Sequence, residues 1–245
     1  MARLSVNLNK IALLRNSRRT GVPDLPSFAR AAIAVGARGI TVHPRPDERH
    51  IRRADVPTLA ALLKPQRPGV ELNIEGYPDA RLLDIAREAR PEQCTLVPDA
   101  PDAFTSEKGW ELNAREEAVA RPAIAALKAL GARVILFIDP DPAVVPRVAA
   151  SGADGVEIYT GAYAAAFREG THAALLDACA VTAEAAQARG LVVNAGHDLN
   201  LRNIPPLTAR IPFLAEASIG HELTADALMM GFPAAVAAYA AALRG

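Results

Sequence analysis

The sequence predicts an α/β fold: one (β/α)8 TIM barrel with additional helical segments, a single domain over residues 1–245. Three observations predict it. Short β-type runs alternate with longer helical runs, which implies parallel pairing. Eight such units fit in 245 residues, a length at which α/β barrels form one domain. No G-x-G-x-x-G follows the first strand, where a dinucleotide-binding open sheet carries it. An open doubly wound sheet uses the same units, so their count does not by itself close the barrel. Count, length and missing fingerprint together favour closure.

The elements run in order along the chain. Leu4–Leu8 reads as a first strand and Ser27–Val35 as a helix closed by Gly36. Gly39–His43 is a second strand. Asp55 can cap a helix over Val56–Leu63, whose Leu59, Leu62 and Leu63 form an apolar stripe. Val70–Glu75 is a third strand, Asp79–Ala89 a helix and Gln93–Pro98 a fourth strand. Asp99–Leu112 is a longer polar stretch, long enough for a lid that excludes water. A helix over about Asn113–Leu130 ends at Gly131, and Arg133–Asp139 is a fifth strand. In the helix predicted over Pro142–Ala150, Pro142 suits the first turn and Pro146 kinks or shortens the remainder. Gly155–Tyr159 is a sixth strand, and His172–Arg189 a long Ala-rich helix closed by Gly190. Leu191–Ala195 is a seventh strand, Asn203–Arg210 a short helix, Phe213–Ile219 an eighth strand and Ala225–Leu243 a last helix.

Composition excludes several classes. Net charge is zero, so no basic footprint suggests nucleic acid. The N-terminus lacks the apolar stretch of a signal peptide. No apolar run approaches the ~20 residues that span a bilayer. A soluble cytoplasmic protein is expected, with no membrane partner. The two cysteines, Cys94 and Cys179, have no metal-type spacing. One disulfide is open in principle; buried thiols in a reducing compartment fit better.

Barrel enzymes place their chemistry at the C-terminal ends of strands. Those ends carry Asn7, Asn9, His43, Arg45, Glu75, Asp139, Glu157, Thr160, Asn194, His197, Gly220 and His221. Four of the five histidines, residues 43, 50, 197 and 221, lie at or just past strand ends. Any one alone reads best as a loop residue; four on one face read best as a site. Glu71 and Glu75 lie four apart and so share a strand face; Glu75 is nearer the end, and Glu71 suits a core layer or the barrel bottom. Glu157 sits inside an apolar strand, where a carboxylate is costly unless paired. Its bland alternative is a buried salt bridge with a barrel arginine. Asp139 fits bracing of the next loop better than catalysis. The loops Ala195–Asp198 and Ile219–His221 suit the usual barrel phosphate site. A second anion site could form from Arg45, His50 and Thr105. The segment Arg45–Arg53 supplies local positive charge with only Asp47 and Glu48 against it.

The runs Val6-Asn7 through Leu14-Arg15-Asn16 and Arg18, ITVHPRPDERHI (Ile40–Ile51), Asn73-Ile74-Glu75, LVPD (Leu96–Asp99), Thr105-Ser106-Glu107, LFIDPD (Leu136–Asp141), EIYTGAYA (Glu157–Ala164), VNAGHDLN (Val193–Asn200) and SIGH (Ser218–His221) occur in this order. Together they resemble the pyridoxine 5′-phosphate synthase family over almost the whole chain. The resemblance implies a (β/α)8 barrel that condenses 3-amino-2-oxopropyl phosphate with 1-deoxy-D-xylulose 5-phosphate, needing no cofactor or metal, in a homo-octamer built as a tetramer of dimers. It implies His43 and Glu75 as proton acceptors, His197 as proton donor and Glu157 as a stabiliser of charged transition states. It implies Asn7, Arg18, Gly220 and His221 around the aminoketone phosphate, and Asn9, Lys10, Arg45, His50 and Thr105 around the deoxyxylulose phosphate. Two departures stand out: many members carry Asp-His where this chain has Asn9-Lys10, and Gly where it has Asp198. The competing expectation is an aldolase-type barrel with Lys10 as Schiff base; of the four lysines, Lys10 alone lies near a strand end. A metal-dependent hydrolase would want H-x-H where Asn7-x-Asn9 stands. A phosphate-binding barrel without catalysis would have no need of His43, Glu75 and His197.

Overall fold

A computed structural model describes residues 1–99 and 108–245. Its strands are β1 (Arg3–Asn7), β2 (Gly39–Val42), β3 (Glu71–Gly76), β4 (Gln93–Leu96), β5 (Arg133–Ile138), β6 (Gly155–Tyr159), β7 (Val192–Gly196) and β8 (Glu216–Ile219). They pair in sequence order, all parallel, and β8 returns to β1 with Arg3 opposite Glu216, so the barrel closes. Around it run α1 (Asn9–Asn16), α2 (Leu25–Ala34), α3 (Asp55–Leu63), α4 (Ala80–Ala89), α5 (Ala114–Ala129), α6 (Val145–Ser151), α7 (Gly161–Glu169), α8 (Ala173–Gln187), α9 (Ile204–Arg210), α10 (His221–Met230) and α11 (Phe232–Ala242).

The strands alternate although both faces are buried. Leu4 and Val6, Leu72 and Ile74, Val134, Leu136 and Ile138, Val156 and Ile158 pack outward into the helical layer. The alternate residues meet across the barrel. At the bottom, Arg3 donates to Glu71 Oε1 at 3.1 Å, Arg133 pairs with Glu71, and Gln93 donates to Glu216 Oε1 at 3.1 Å. Above them, the Ser5 and Thr41 hydroxyls lie 2.7 Å apart and Asn73 donates to Thr95 at 3.1 Å. A parallel sheet with an apolar lumen would read as continuous hydrophobic runs; a polar lumen leaves a period of two in the sequence.

Several expectations need correction. α1 and α7 are additional helices in segments to which the sequence assigned no element. Pro146 lies in the first turn of α6, which starts at Val145, so the helix is shortened rather than kinked. Asp55 does not cap α3 from outside; it lies in the first turn, where its carboxylate accepts from Arg15 and from the Arg52 N–H. β8 begins at Glu216, not Phe213. The final helix is two helices: Gly231, at φ 81° and ψ 141°, breaks it, and Pro233 starts α11. Asp24 and Asp79 cap α2 and α4 by accepting from Ser27 N at 2.9 Å and Leu82 N at 2.8 Å. Cys94 and Cys179 are buried free thiols. Among the described residues no helix is long and apolar enough to cross a membrane.

Candidate active site

The strand ends converge on Glu75. Asn7, at the end of β1, donates to Glu75 Oε2 at 3.3 Å. His43, directly after β2, brings Nδ1 to 3.8 Å from the same oxygen. Burial, with Asp99 and Glu216 nearby, pushes the Glu75 carboxyl up to about 7 against the pull of Arg45. Burial, and then the positive charge of Arg45, holds the His43 imidazole well below 6.5. Near neutral pH the pair therefore comprises a neutral imidazole and a carboxyl poised to give up or take one proton.

Glu157, on β6, faces the same lumen. Burial, then the Glu75 and Glu216 carboxylates, raise its pKa well above 4.5. No arginine is among the groups that weigh on it, and the buried salt bridge anticipated as its bland alternative is not formed. Its Oε2 is buried with no protein hydrogen-bond partner, as are Asn194 Oδ1 and Ser218 Oγ. Room for the carboxylate comes from Gly196: a Cβ there would lie 2.2 Å from Glu157 Oε1.

His197 follows β7. Its ring packs against Phe137, centroids 5.0 Å apart, and Tyr159, 5.3 Å apart. Burial lowers its pKa, opposed by Asp198 and Asp99. His197 and Asp198 have φ of 80° and 56°, sparsely populated for residues with a Cβ. The surroundings impose this geometry. The Thr160 hydroxyl lies 2.5 Å from Gly196 O and 2.7 Å from His197 O, and Asn203 donates to Asp198 O at 3.1 Å. Asp198 is thus close enough for its charge to be felt at the histidine.

Arg45 donates to Asp99 Oδ2 at 2.7 Å. The His50 ring lies 6.1 Å from His43, and its Nδ1 accepts from Ile51 N at 2.9 Å, which leaves Nε2 as the donor. Burial, then Arg45, lowers His50 to about 4, so it is neutral at pH 7. The basic run after β2 is largely paired: Arg49 with Asp47, Arg53 with Glu88.

Some expected residues take other places. Asn9 Oδ1 accepts from the His43 N–H at 2.9 Å, so this side chain fixes the end of β2. Lys10 is exposed, although its charge bears on His50 and His197. A Schiff-base lysine is activated by desolvation or a neighbouring cation, and the Lys10 reading is not favoured. Arg18 is exposed in the turn after α1, and His221 is exposed at the start of α10 with Gly220 before it. Neither is among the charges that weigh most on His43, Glu75, Glu157 or His197. Thr105 and most of the stretch proposed as a lid lie outside the described residues; the described residues Trp110 and Leu112 are buried. Glu71 is at the bottom of the barrel, and Asp139 follows β5 with its carbonyl accepting from Asp141 N at 2.7 Å. Among the described residues no group of three or more His, Cys, Asp and Glu could hold a metal ion. Asp99, Arg15 and Asn16 were not singled out from the sequence. Arg15 and Asn16 act on charges and carbonyls of a neighbouring loop, which leaves no periodic or strand-end signal; Asp99 follows the fourth strand, and its tie to Arg45 shows only in the fold.

A closed parallel barrel with two histidines and two high-pKa carboxyls at its C-terminal mouth defines an acid–base (β/α)8-barrel enzyme. Comparison with known proteins gives the family. Residues 4–245 match the model described as pyridoxal phosphate biosynthesis protein PdxJ, and the chain belongs to that family. It is 51% identical over 243 residues to a pyridoxine 5′-phosphate synthase of Brucella anthropi, covering 99% of each chain. Among solved structures it resembles tryptophan synthase from M. tuberculosis, with TM-score 0.67 and 16% identity over 100% of this chain and 93% of that one. It also resembles a phosphoribosyl anthranilate isomerase, with TM-score 0.60 and 12% identity over 100% of each chain. At such identities the structural likeness speaks to the fold alone.

Proposed function

We propose that the chain condenses 3-amino-2-oxopropyl phosphate with 1-deoxy-D-xylulose 5-phosphate into pyridoxine 5′-phosphate, with release of phosphate and water. Family membership and full-length identity support the activity. The observation that carries the chemistry is the Glu75 carboxyl, held by Asn7 beside His43 and lifted to about 7. Forming a pyridine ring from an amine and two carbonyl carbons needs imine formation, carbon deprotonation, eliminations and an aldol closure. All are proton transfers, best served by groups whose pKa lies near working pH.

In this reading His43 and Glu75 accept protons, and Glu157, whose protonated form burial favours, stabilises charge that develops beside it. His197 is the donor. Burial lowers its pKa in the free protein, and a substrate phosphate nearby would favour its protonated form. Arg45 and the neutral Nε2–H of His50, with Asn9, Lys10 and Thr105, serve the deoxyxylulose phosphate. Asn7, Arg18, Gly220 and His221 serve the aminoketone phosphate, with the strained backbone at His197–Asp198 contributing N–H groups. A cytoplasmic homo-octamer arranged as a tetramer of dimers completes the proposal.

The test is to mix the two phosphates with purified protein and follow pyridoxine phosphate by absorbance. His43→Ala and Glu75→Gln should each abolish turnover while leaving the circular dichroism spectrum intact. Turnover retained in both variants would overturn the role assignments.

A further inference from the structure

We propose that α1 is a positioning element for the loop after β2, bracing that loop at both ends so that Arg45 and His50 face the site; Arg15 and Asn16 are its positioning residues. The inference rests on the assignment of Arg45 and His50 to a substrate phosphate.

At the near end of the helix, Asn9 Oδ1 accepts from the His43 N–H at 2.9 Å. At the far end the contacts concentrate on three successive carbonyls. Asn16 Nδ2 donates to Glu48 O at 3.2 Å, Arg49 O at 3.1 Å and His50 O at 2.7 Å. Arg15 Nη2 adds a bond to His50 O at 3.1 Å. The Arg15 guanidinium is itself fixed as a fork, with Nη1 to Asp55 Oδ1 at 2.7 Å and Nη2 to Asp55 Oδ2 at 2.9 Å. Its Nε donates to Asn16 Oδ1 at 3.1 Å, so the two side chains orient each other. Asp55 Oδ2 also accepts from Arg52 N at 2.7 Å, which ties the loop to the start of α3.

This is more than an ion pair at a helix end. Arg15 is buried, at 8% exposure, and a buried arginine and carboxylate justify their desolvation only with most donors satisfied. Here the spare donors go to the backbone of the residue whose imidazole faces His43. Glu48 has φ 53°, an uncommon conformation that the Asn16 contact helps hold. The loop has no regular structure to set the direction of its side chains, so the direction must come from such contacts. Arg45, Asp47, Arg49 and Lys10 are the charges that bear on His50, and all but Lys10 lie on the loop that α1 holds.

Two readouts test the proposal. The first is the imidazole titration of His50 by NMR, which needs no reaction. In Asn16→Ala the loop loosens, and the titration moves from about 4 toward its ordinary 6.5. The second is steady-state kinetics referenced to His50→Ala. Asn16→Ala should raise KM roughly tenfold, about 1.4 kcal/mol of binding, for the same substrate that His50→Ala affects, with kcat within about twofold and the other KM unchanged. Arg15→Lys keeps the charge opposite Asp55, loses the fork and should shift both readouts the same way; it carries the measurement if Asn16→Ala does not fold. An unmoved His50 titration in both variants overturns the proposal. So does a KM rise in His50→Ala that neither variant shares. If His50→Ala changes neither KM, the phosphate assignment of His50 is lost, and the His50 titration alone decides the role of α1.

Discussion

Glu75 shows how one carboxyl can trade stability for chemistry. Its folded pKa of about 7 lies above its ordinary 4.5, so the folded chain binds this proton more tightly than the unfolded one. The associated stability is fully present below pH 4.5 and is lost as pH rises through 7. Glu75→Gln should therefore be inactive, yet gain on the parent by roughly 2–3 kcal/mol between pH 5 and pH 8. Chemical denaturation at the two pH values measures this, and a constant difference would refute it. Gly196 carries a steric prediction. A methyl there would overlap Glu157 Oε1, and Gly196→Ala should cut kcat at least tenfold by displacing the carboxylate, with less effect on either KM. Asp198, at φ 56°, is strained for a residue with a Cβ. Asp198→Gly should raise stability by about 1 kcal/mol and lower one substrate KM by removing a negative charge from beside the phosphate loop. An unchanged melting temperature would show that the strain is absorbed elsewhere.

At the scale of elements, the break between α10 and α11 depends on one backbone conformation. Gly231 has φ 81° and ψ 141°, and a Cβ added there would meet open space, with no atom within 4 Å. Gly231→Ala should thus cost about 1–3 kcal/mol by backbone strain alone, lowering the melting temperature while leaving kcat and both KM values unchanged at 25 °C. The signal for this break was present as Gly231-Phe232-Pro233, but the Ala-rich pattern on either side reads as one helix. α1 was hidden for a different reason: Leu13 and Leu14 are exposed while Arg15 is buried, which reverses the polarity on which a helical stripe depends. The eight strands were legible to within a few residues, because short β-type runs and the glycines that close the preceding helices, such as Gly36, Gly131 and Gly190, survive in the sequence. His43, Glu75, Glu157 and His197 were legible through the strand-end rule. Arg15, Asn16 and Asp99 were not, since each works by holding a neighbour from another element.

Across the whole molecule, the polar lumen and its mouth set how stability responds to pH. His43, His50 and His197 all have pKa values below 6.5 because burial disfavours the imidazolium. Glu75, Glu157 and Glu216 all lie above 4.5 because burial disfavours the carboxylate. Each histidine thus gives stability at high pH that is lost as pH falls below 6.5, when the unfolded imidazole takes a proton. Each of these glutamates gives stability at low pH that is lost as pH rises above 4.5. Between 4.5 and 6.5 the unfolded chain holds the His50 proton, which the folded chain takes up only near 4, and the folded chain holds the Glu75 proton up to about 7, so these two slopes offset. Above 6.5 the unfolded imidazole has lost its proton while the folded Glu75 carboxyl gives up its own only through about 7, and stability falls. Below 4.5 the unfolded chain holds both protons while the folded His50 imidazole takes its own only near 4, and stability falls again. Glu71 steepens the acid limb: burial alone would raise it, but Arg133 and Arg3 hold it below 4.5, so its stabilising contribution is lost as pH drops through that lowered value. The melting temperature should therefore plateau between about pH 4.5 and 6.5 and decline on both sides, with the alkaline decline shallower in Glu75→Gln. Calorimetry from pH 3.5 to 8.5 would check it; a melting temperature that climbs steadily to pH 8 would mean that the lumenal carboxyls are ionised in the folded protein.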